Sequence, residues 1–381
     1  MISMSLGDPI VYWLLRILLL VTLLVCGWGI SYQEKKFFKV YALVAGAAYS
    51  LIQGLRWNRG QDYPHYYSDL MGKWETPDPE LLYDGIVNFL SNILCVPYWV
   101  SFVIYSALLI SAFLLVLKKV PKIAVWALPL FFIMTGSAEN LIRQYLAVSF
   151  VIYAYNAYLS NNFKLVIIYL VCVPFIHASG LFAVFFFILF AIIKFEKIIK
   201  NPWILLGIYV LLYFFWDNSY FSFLTDFLQN LNFGDDYKMR SYLDNSERWF
   251  SEEGSLSFVL GTKSTVSSLI SDTVSFLSYI LVIYYGFYAC KINSQIRIAY
   301  GFTYLAIIMK IIGGDIEMYA RFYNWLIYLS PIVIGTICMT PMKLKERWVV
   351  WAILIINFYF YGFIRQIGNI PYAGCAFIWD R

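Results

Sequence analysis

Four short stretches of this sequence hold residues able to grip a phosphate or move a proton. In RWNRGQDYPHYY, Arg56, Arg59, Asp62, His65, Tyr66 and Tyr67 gather two guanidinium forks, a carboxylate, an imidazole and phenols. In ENLIRQYLAVSF, Asn140, Arg143, Gln144 and Ala147 recur at i, i+3, i+4 and i+7, the spacing of one helical face. In FIHASGLF, His177 sits between two apolar blocks, and imidazole is the side chain best suited to proton transfer near neutral pH. In GGDIEMYARFYNW, Asp315, Glu317, Tyr319, Arg321 and Asn324 crowd another helix end. An arginine fork stays charged and matches phosphate oxygens, so Arg143 beside two amides suits a phosphate or pyrophosphate.

Each group also has a plainer reading. Arg56 or Arg59 can simply pair with Asp62 while the tyrosines join an interfacial aromatic belt. Glu139 can pair with Arg143, and Glu317 with Arg321, across one helical turn. His177 can be a helix-packing residue.

The elements that must position these groups are membrane helices. The chain is 61% hydrophobic and 13% charged, with a mean hydropathy of +0.69, which excludes a water-soluble fold. Apolar blocks of roughly 17 to 25 residues are long enough to cross a hydrocarbon core as helices. Runs such as FFFILFAIIKF lack the alternation of an outer-membrane barrel. The net charge of +5 lies in short lysine clusters between apolar blocks, the positive-inside pattern of a membrane protein rather than a nucleic-acid surface. Six cysteines occur with no CxxC pair, so neither a disulfide framework nor a zinc site is implied. The first apolar stretch, Ile10 to Ile30, is too long for a signal-peptide core and reads as retained.

These blocks predict an all-α polytopic membrane protein with about twelve spans, centred near Leu20, Ala47, Leu108, Leu130, Ile152, Leu170, Phe187, Leu211, Leu281, Leu305, Ile332 and Ile355. The lysine-rich loops (Lys35, Lys36, Lys39; Lys118, Lys119, Lys122; Lys164; Lys194, Lys197, Lys200; Lys291, Arg297; Lys343, Lys345, Arg347) then face the cytoplasm, with only Glu34, Glu196 and Glu346 as acids, and both termini lie outside. Residues 1–381 read as one transmembrane domain. Two outer segments exceed turns: 56–97, where Leu82, Ile86, Phe89, Leu90 and Ile93 mark an interfacial or re-entrant amphipathic helix, and 217–263, an acidic cap.

All four clusters fall on the outer side. Three or four arginines, a few carboxylates and a histidine there point to an anionic lipid-linked substrate and stabilisation of a phosphate leaving group. No P-loop, dinucleotide fingerprint or HExxH is present, and no cofactor or metal is expected.

RWNRGQDYPHYY, NLIRQYLAVSF, FIHASGLF and YARFYNW, in this order between these spans, resemble the EpsG branch of the Wzy-type bacterial polysaccharide polymerases. The resemblance implies a GT-C-like glycosyltransferase bundle in the bacterial cytoplasmic membrane. Such an enzyme joins oligosaccharide repeat units carried on undecaprenyl diphosphate, in concert with the bilayer, a flippase and chain-length regulators. It implies that Arg143 and Arg321, helped by Arg56 or Arg59, with Asn140, Gln144, Tyr66 and Tyr319 around them, hold the diphosphate. His177 or Asp62 would take the acceptor's proton; spacing alone does not choose between them. A flippase for the same units would need similar arginines, but in a cavity presented to both leaflets. A membrane acyltransferase would use one histidine and leave most arginines unexplained.

Overall fold

The computed structural model describes residues 7–72, 80–216, 266–313, 317–368 and 374–381, and within them leaves aside the side chains of 266–268 and 317–320. The predicted cap 217–263, Asp315 and the Tyr319 side chain therefore lie outside what is described.

Among the described residues every regular element is helical. The first half contains α1 (Pro9–Tyr32), α2 (Phe38–Gly54), α3 (Tyr63–Leu70), α4 (Leu81–Asn88), α5 (Tyr98–Lys119), α6 (Ala124–Met134), α7 (Ile142–Leu159), α8 (Phe163–Ile176), α9 (Leu181–Ile192), α10 (Phe195–Ile198) and α11 (Pro202–Phe215). The second contains α12 (Val266–Ile292), α13 (Arg297–Gly313), α14 (Glu317–Asn324), α15 (Ser330–Met339), α16 (Leu344–Leu354) and α17 (Gly362–Ile367). Each of the twelve predicted centres falls inside one of these helices or the π-helical stretch Ile355–Tyr361 that continues α16.

Among the described residues, seven helical segments are long and apolar enough to cross a membrane: Pro9–Tyr32, Lys35–Gly54, Tyr98–Lys119, Leu269–Ile292, Ser294–Gly313, Arg321–Met339 and Leu344–Ile367. Four more are apolar but shorter, Pro121–Met134, Phe163–Ile176, Ala178–Ile192 and Pro202–Phe215. The count of long spans is thus smaller than the count of apolar blocks, and for α6, though not for the outward-exposed α8, α9 and α11, packing supplies the reason. On α6, Ala127, Leu128, Leu130, Phe131 and Phe132 are all fully buried, and α6 packs between α1 and α15. A helix enclosed by protein need not match the hydrocarbon thickness. By contrast α1 shows Leu14, Ile17, Leu18, Val21 and Val25 to the outside, an apolar surface that only lipid can cover. The chain is a multi-pass membrane protein.

Segments sort to two ends of the bundle. At the lysine-rich end, Ser31 Oγ donates to the Pro121 carbonyl at 3.1 Å and Lys291 Nζ to the Lys200 carbonyl at 2.9 Å. All three acids of that end are paired: Glu34 with Lys36, Glu196 with the Arg297 guanidinium, and Glu346 with the Tyr285 hydroxyl.

At the opposite end one carboxylate joins distant segments. Glu139 Oε1 lies 2.7 Å from Arg16 Nη1 and 3.4 Å from Arg59 Nη1, with all three side chains 6% exposed or less. Arg16 Nη1 also donates to Gln53 Oε1 at 3.0 Å, and the Arg59 guanidinium lies over the Phe377 and Tyr12 rings. The C-terminal residues are fastened beside it, since Trp57 N–H donates to the Ala376 carbonyl and Ile378 N–H to that of Leu55. Burial alone would raise the Glu139 carboxyl, but the charges of Arg59, Arg16 and Arg56 outweigh it and hold the group below its ordinary value. Glu139 is thus ionised and binds α1, the loop after α2 and the turn before α7 to one point.

Removing a partner from a buried ionic cluster leaves uncompensated charge and costs about 3–5 kcal/mol. Glu139→Gln is expected to lower the thermal unfolding midpoint of the detergent-purified protein clearly, whereas Glu34→Gln, at an exposed pair, leaves it unchanged.

Candidate functional site

The second hub at this end is Glu80, just before α4. Arg143 Nη1 lies 3.3 Å from Glu80 Oε2, His177 Nδ1 lies 3.3 Å from Glu80 Oε1, and the Ala178 N–H donates to Glu80 Oε1 at 3.2 Å. One carboxylate therefore faces a guanidinium on one side and an imidazole on the other. These groups are only partly buried, with side-chain exposures of 31% for Arg143, 16% for Glu80 and 29% for His177. At 3.3 Å the Arg143 contact is longer than a tight charge-assisted bond. With 31% of its side chain exposed, the Arg143 guanidinium remains reachable from outside the cluster.

Local folding explains the placement. Pro174 interrupts α8 before its end, and His177 follows in extended backbone before the short 3₁₀ turn Ala178–Gly180. That turn aims the imidazole and the Ala178 N–H at the same carboxylate. Trp325 locks it from the other side, its ring edge-on to His177 at 5.8 Å and its Nε1 donating to Ser179 Oγ at 3.1 Å. Gly180 is required there, because a Cβ would come within 2.5 Å of Val173 Cγ1.

Phenols and further carboxyls complete the surroundings of Arg143. Its guanidinium lies over the Tyr66 and Tyr83 rings at 5.7 and 5.5 Å. Tyr83 hydroxyl points to Asp69 Oδ2 at 3.5 Å. Burial pushes the Asp69 and Asp84 carboxyls up. For Glu80 burial acts the same way, but the hydrogen bond and charge of His177, then the charge of Arg143, prevail and hold it below its ordinary value. Carboxyls driven in opposite directions within one site are the pattern expected of groups with different protonation tasks.

The four sequence clusters meet here in part. Arg143 and His177 converge on Glu80, and the Tyr66 ring lies against Arg143. Asn140 Oδ1 accepts from the Asp62 N–H at 3.0 Å, which docks the start of α3 on the turn before α7. Gln144 Nε2 donates to the Arg321 carbonyl at 2.9 Å, which seats α14 beside α7. Arg56 and Arg59 stand apart from these, 2% and 0% exposed in the Glu139 cluster, and burial lowers Arg56 to about 10.

Two local expectations differ from what the structure shows. Asn140 does not share a helical face with Arg143 and Gln144, because Gly136–Glu139 is a 3₁₀ turn and α7 begins only at Ile142. For the same reason Glu139 cannot reach Arg143 across a helical turn; it turns inward to Arg16 and Arg59 while Arg143 finds Glu80. The predicted amphipathic segment is helical over Leu81–Asn88 and Phe89–Ile93, burying Tyr83 and Leu90 and leaving Phe89 and Ile93 exposed. Glu80, Tyr83, Asp69 and Arg16 were not singled out by sequence reasoning. Arg16 carried a usable signal, a charge inside an apolar run; Glu80 carried none beyond preceding an amphipathic helix. Among the described residues no group of His, Cys, Asp and Glu side chains is arranged to hold a metal ion.

Fold and site together define a polytopic helical membrane protein with a half-buried ionic site at the end opposite its lysine clusters. The family model of the EpsG family matches residues 39–374, and the chain belongs to that family, whose function is of polysaccharide-polymerase type. No curated protein and no solved structure matches the chain.

A depressed carboxyl contributes stability that is complete above its unfolded value and is lost as pH falls through its folded value. The Glu80 contribution is accordingly present above pH 4.5, its ordinary value, and disappears below it. Thermal unfolding measured from about pH 7 downwards is expected to show a smaller acid-induced decline in Glu80→Gln than in wild type.

Proposed function

We propose that this chain joins oligosaccharide repeat units carried on undecaprenyl diphosphate into a surface polysaccharide, at the outer face of a bacterial cytoplasmic membrane. The Glu80 bridge between Arg143 and His177, which come from two of the four motif regions, with Tyr66 of a third against Arg143, is the observation that carries this reading. In it the bundle is a GT-C-like arrangement of about twelve spans, needs no metal, and works beside a flippase and a chain-length regulator.

Arg143 and Arg321 hold the donor's diphosphate. An acceptor hydroxyl oxygen attacks C1 of the donor sugar, the C1–O bond to the diphosphate breaks, and the electron pair leaves on the phosphate oxygen, where the guanidinium charge stabilises it. His177 takes the hydroxyl proton, oriented by Glu80, which also stabilises the imidazolium as it forms. Asp62, whose backbone is docked on Asn140, is the second candidate base. Tyr66 borders the diphosphate, with Asn140 and Gln144 positioning the elements around it. Arg56 and Arg59 act from behind through their charge, since three guanidiniums surround the single Glu139 carboxylate.

The test is to delete the gene in its native host, complement it with wild type or variants, and size the surface polysaccharide. Wild type is expected to restore long chains. Arg143→Ala at normal membrane levels leaves single exported units, with linkage formation down about 10²-fold or more, and His177→Ala falls by about 10²–10⁴-fold. Long chains retained by Arg143→Ala would exclude the leaving-group role. Units trapped inside the deletion strain would indicate a flippase.

A further inference from the structure

Between α8 and α9 runs a groove of about 370 Å³ in which no polar atom is exposed. Ile167 and Leu170 form one wall, Val184 and Ile188 the other. Its upper end is bounded by Pro174, Phe175 and Leu181, the residues that flank the His177–Gly180 turn. Its lower end reaches Phe163 and Ile192, at the opposite ends of the same two helices. The helices close together at the turn, where Gly180 touches Val173, and leave the space between them along their length.

We propose that this groove holds the head-proximal part of the polyisoprenoid chain of the lipid-linked substrate, with the diphosphate above it at Arg143. The inference rests on the function proposed above and adds where the lipid lies. Three observations select this occupant. A groove of that volume running beside α8, which is about 21 Å long, is too narrow to enclose a helix of about 10 Å diameter, whereas a single hydrocarbon chain can lie along it. An extended peptide would leave its backbone N–H and C=O groups unpaired against apolar walls, whereas a branched hydrocarbon has none to satisfy. The groove also ends within three residues of His177, so a chain lying in it delivers its polar head to the Glu80, Arg143 and His177 groups. Ordinary acyl chains share the hydrocarbon but not that head-group geometry.

The experiment uses full-length protein in nanodiscs of phosphatidylglycerol and phosphatidylethanolamine, with an undecaprenyl diphosphate bearing a diazirine on its chain. Mass spectrometry after illumination is expected to place adducts on peptides within 163–192. Unlabelled undecaprenyl diphosphate should compete with them and added phosphatidylglycerol should not. Ile188→Trp and Ile167→Trp, at positions 45% and 63% exposed, fill the groove and should lower these adducts about tenfold. Ile17→Trp, at a 45% exposed position on α1, should not. Adducts spread over all lipid-facing helices, or unaffected by competition, would overturn the proposal and leave bulk lipid as the occupant. Labelling in the groove without polymer formation by the same preparation would sink the polymerase reading alone; polymer formation without groove labelling would sink the groove alone.

Discussion

The end of this bundle opposite its lysine clusters depends on one buried carboxylate. Glu139 meets Arg16 from α1 and Arg59 from the loop after α2, and Arg59 in turn lies against Phe377 near the C-terminus. A guanidinium inside a membrane bundle is tolerated only where it is paired, and here the pairing links elements from both ends of the sequence. With Glu139 fixed, the next residue, Asn140, is placed to hold the Asp62 N–H, and α7 starts where Arg143 can reach Glu80. Two charges a few residues apart are thereby separated: Glu139 points into the bundle, Arg143 towards the half-exposed site.

Glu80 repeats the same principle with a different outcome. Its partners are long-range, from α7 and from the turn after α8, and none is fully buried. The pairing is loose enough for a ligand to replace it yet sufficient to hold imidazole and guanidinium at one carboxylate without substrate. Such preorganisation is what electrostatic catalysis requires. The apolar groove between α8 and α9 opens at the same turn, so the chemistry of a lipid-linked substrate, polar at the head and hydrocarbon below, is matched by neighbouring surfaces.

Much of the helical scaffold was legible in the sequence because apolar runs are its dominant signal; each predicted centre lies in helical structure. Span number was less legible, since hydropathy cannot distinguish a lipid-facing helix such as α1 from an enclosed one such as α6. Local spacing misled at residues 136–143, where a 3₁₀ turn breaks the apparent stripe of Asn140, Arg143 and Gln144 and sends Glu139 the other way. Pairing across 63 residues, as between Glu80 and Arg143, has no periodic signature. Arg16 was visible as a charge in an apolar run. Arg143 and His177 were legible because residues of their type are rare in such surroundings, but the carboxylate that joins them was not.

The most direct measurement is to reconstitute the purified chain alone in liposomes with undecaprenyl-diphosphate-linked repeat units, and to follow polymer length and free undecaprenyl diphosphate together. The account predicts chains longer than one unit, with one undecaprenyl diphosphate released for each linkage formed. Liposomes in which the units bind but neither polymer nor free diphosphate appears, or in which units only cross the bilayer, would contradict it.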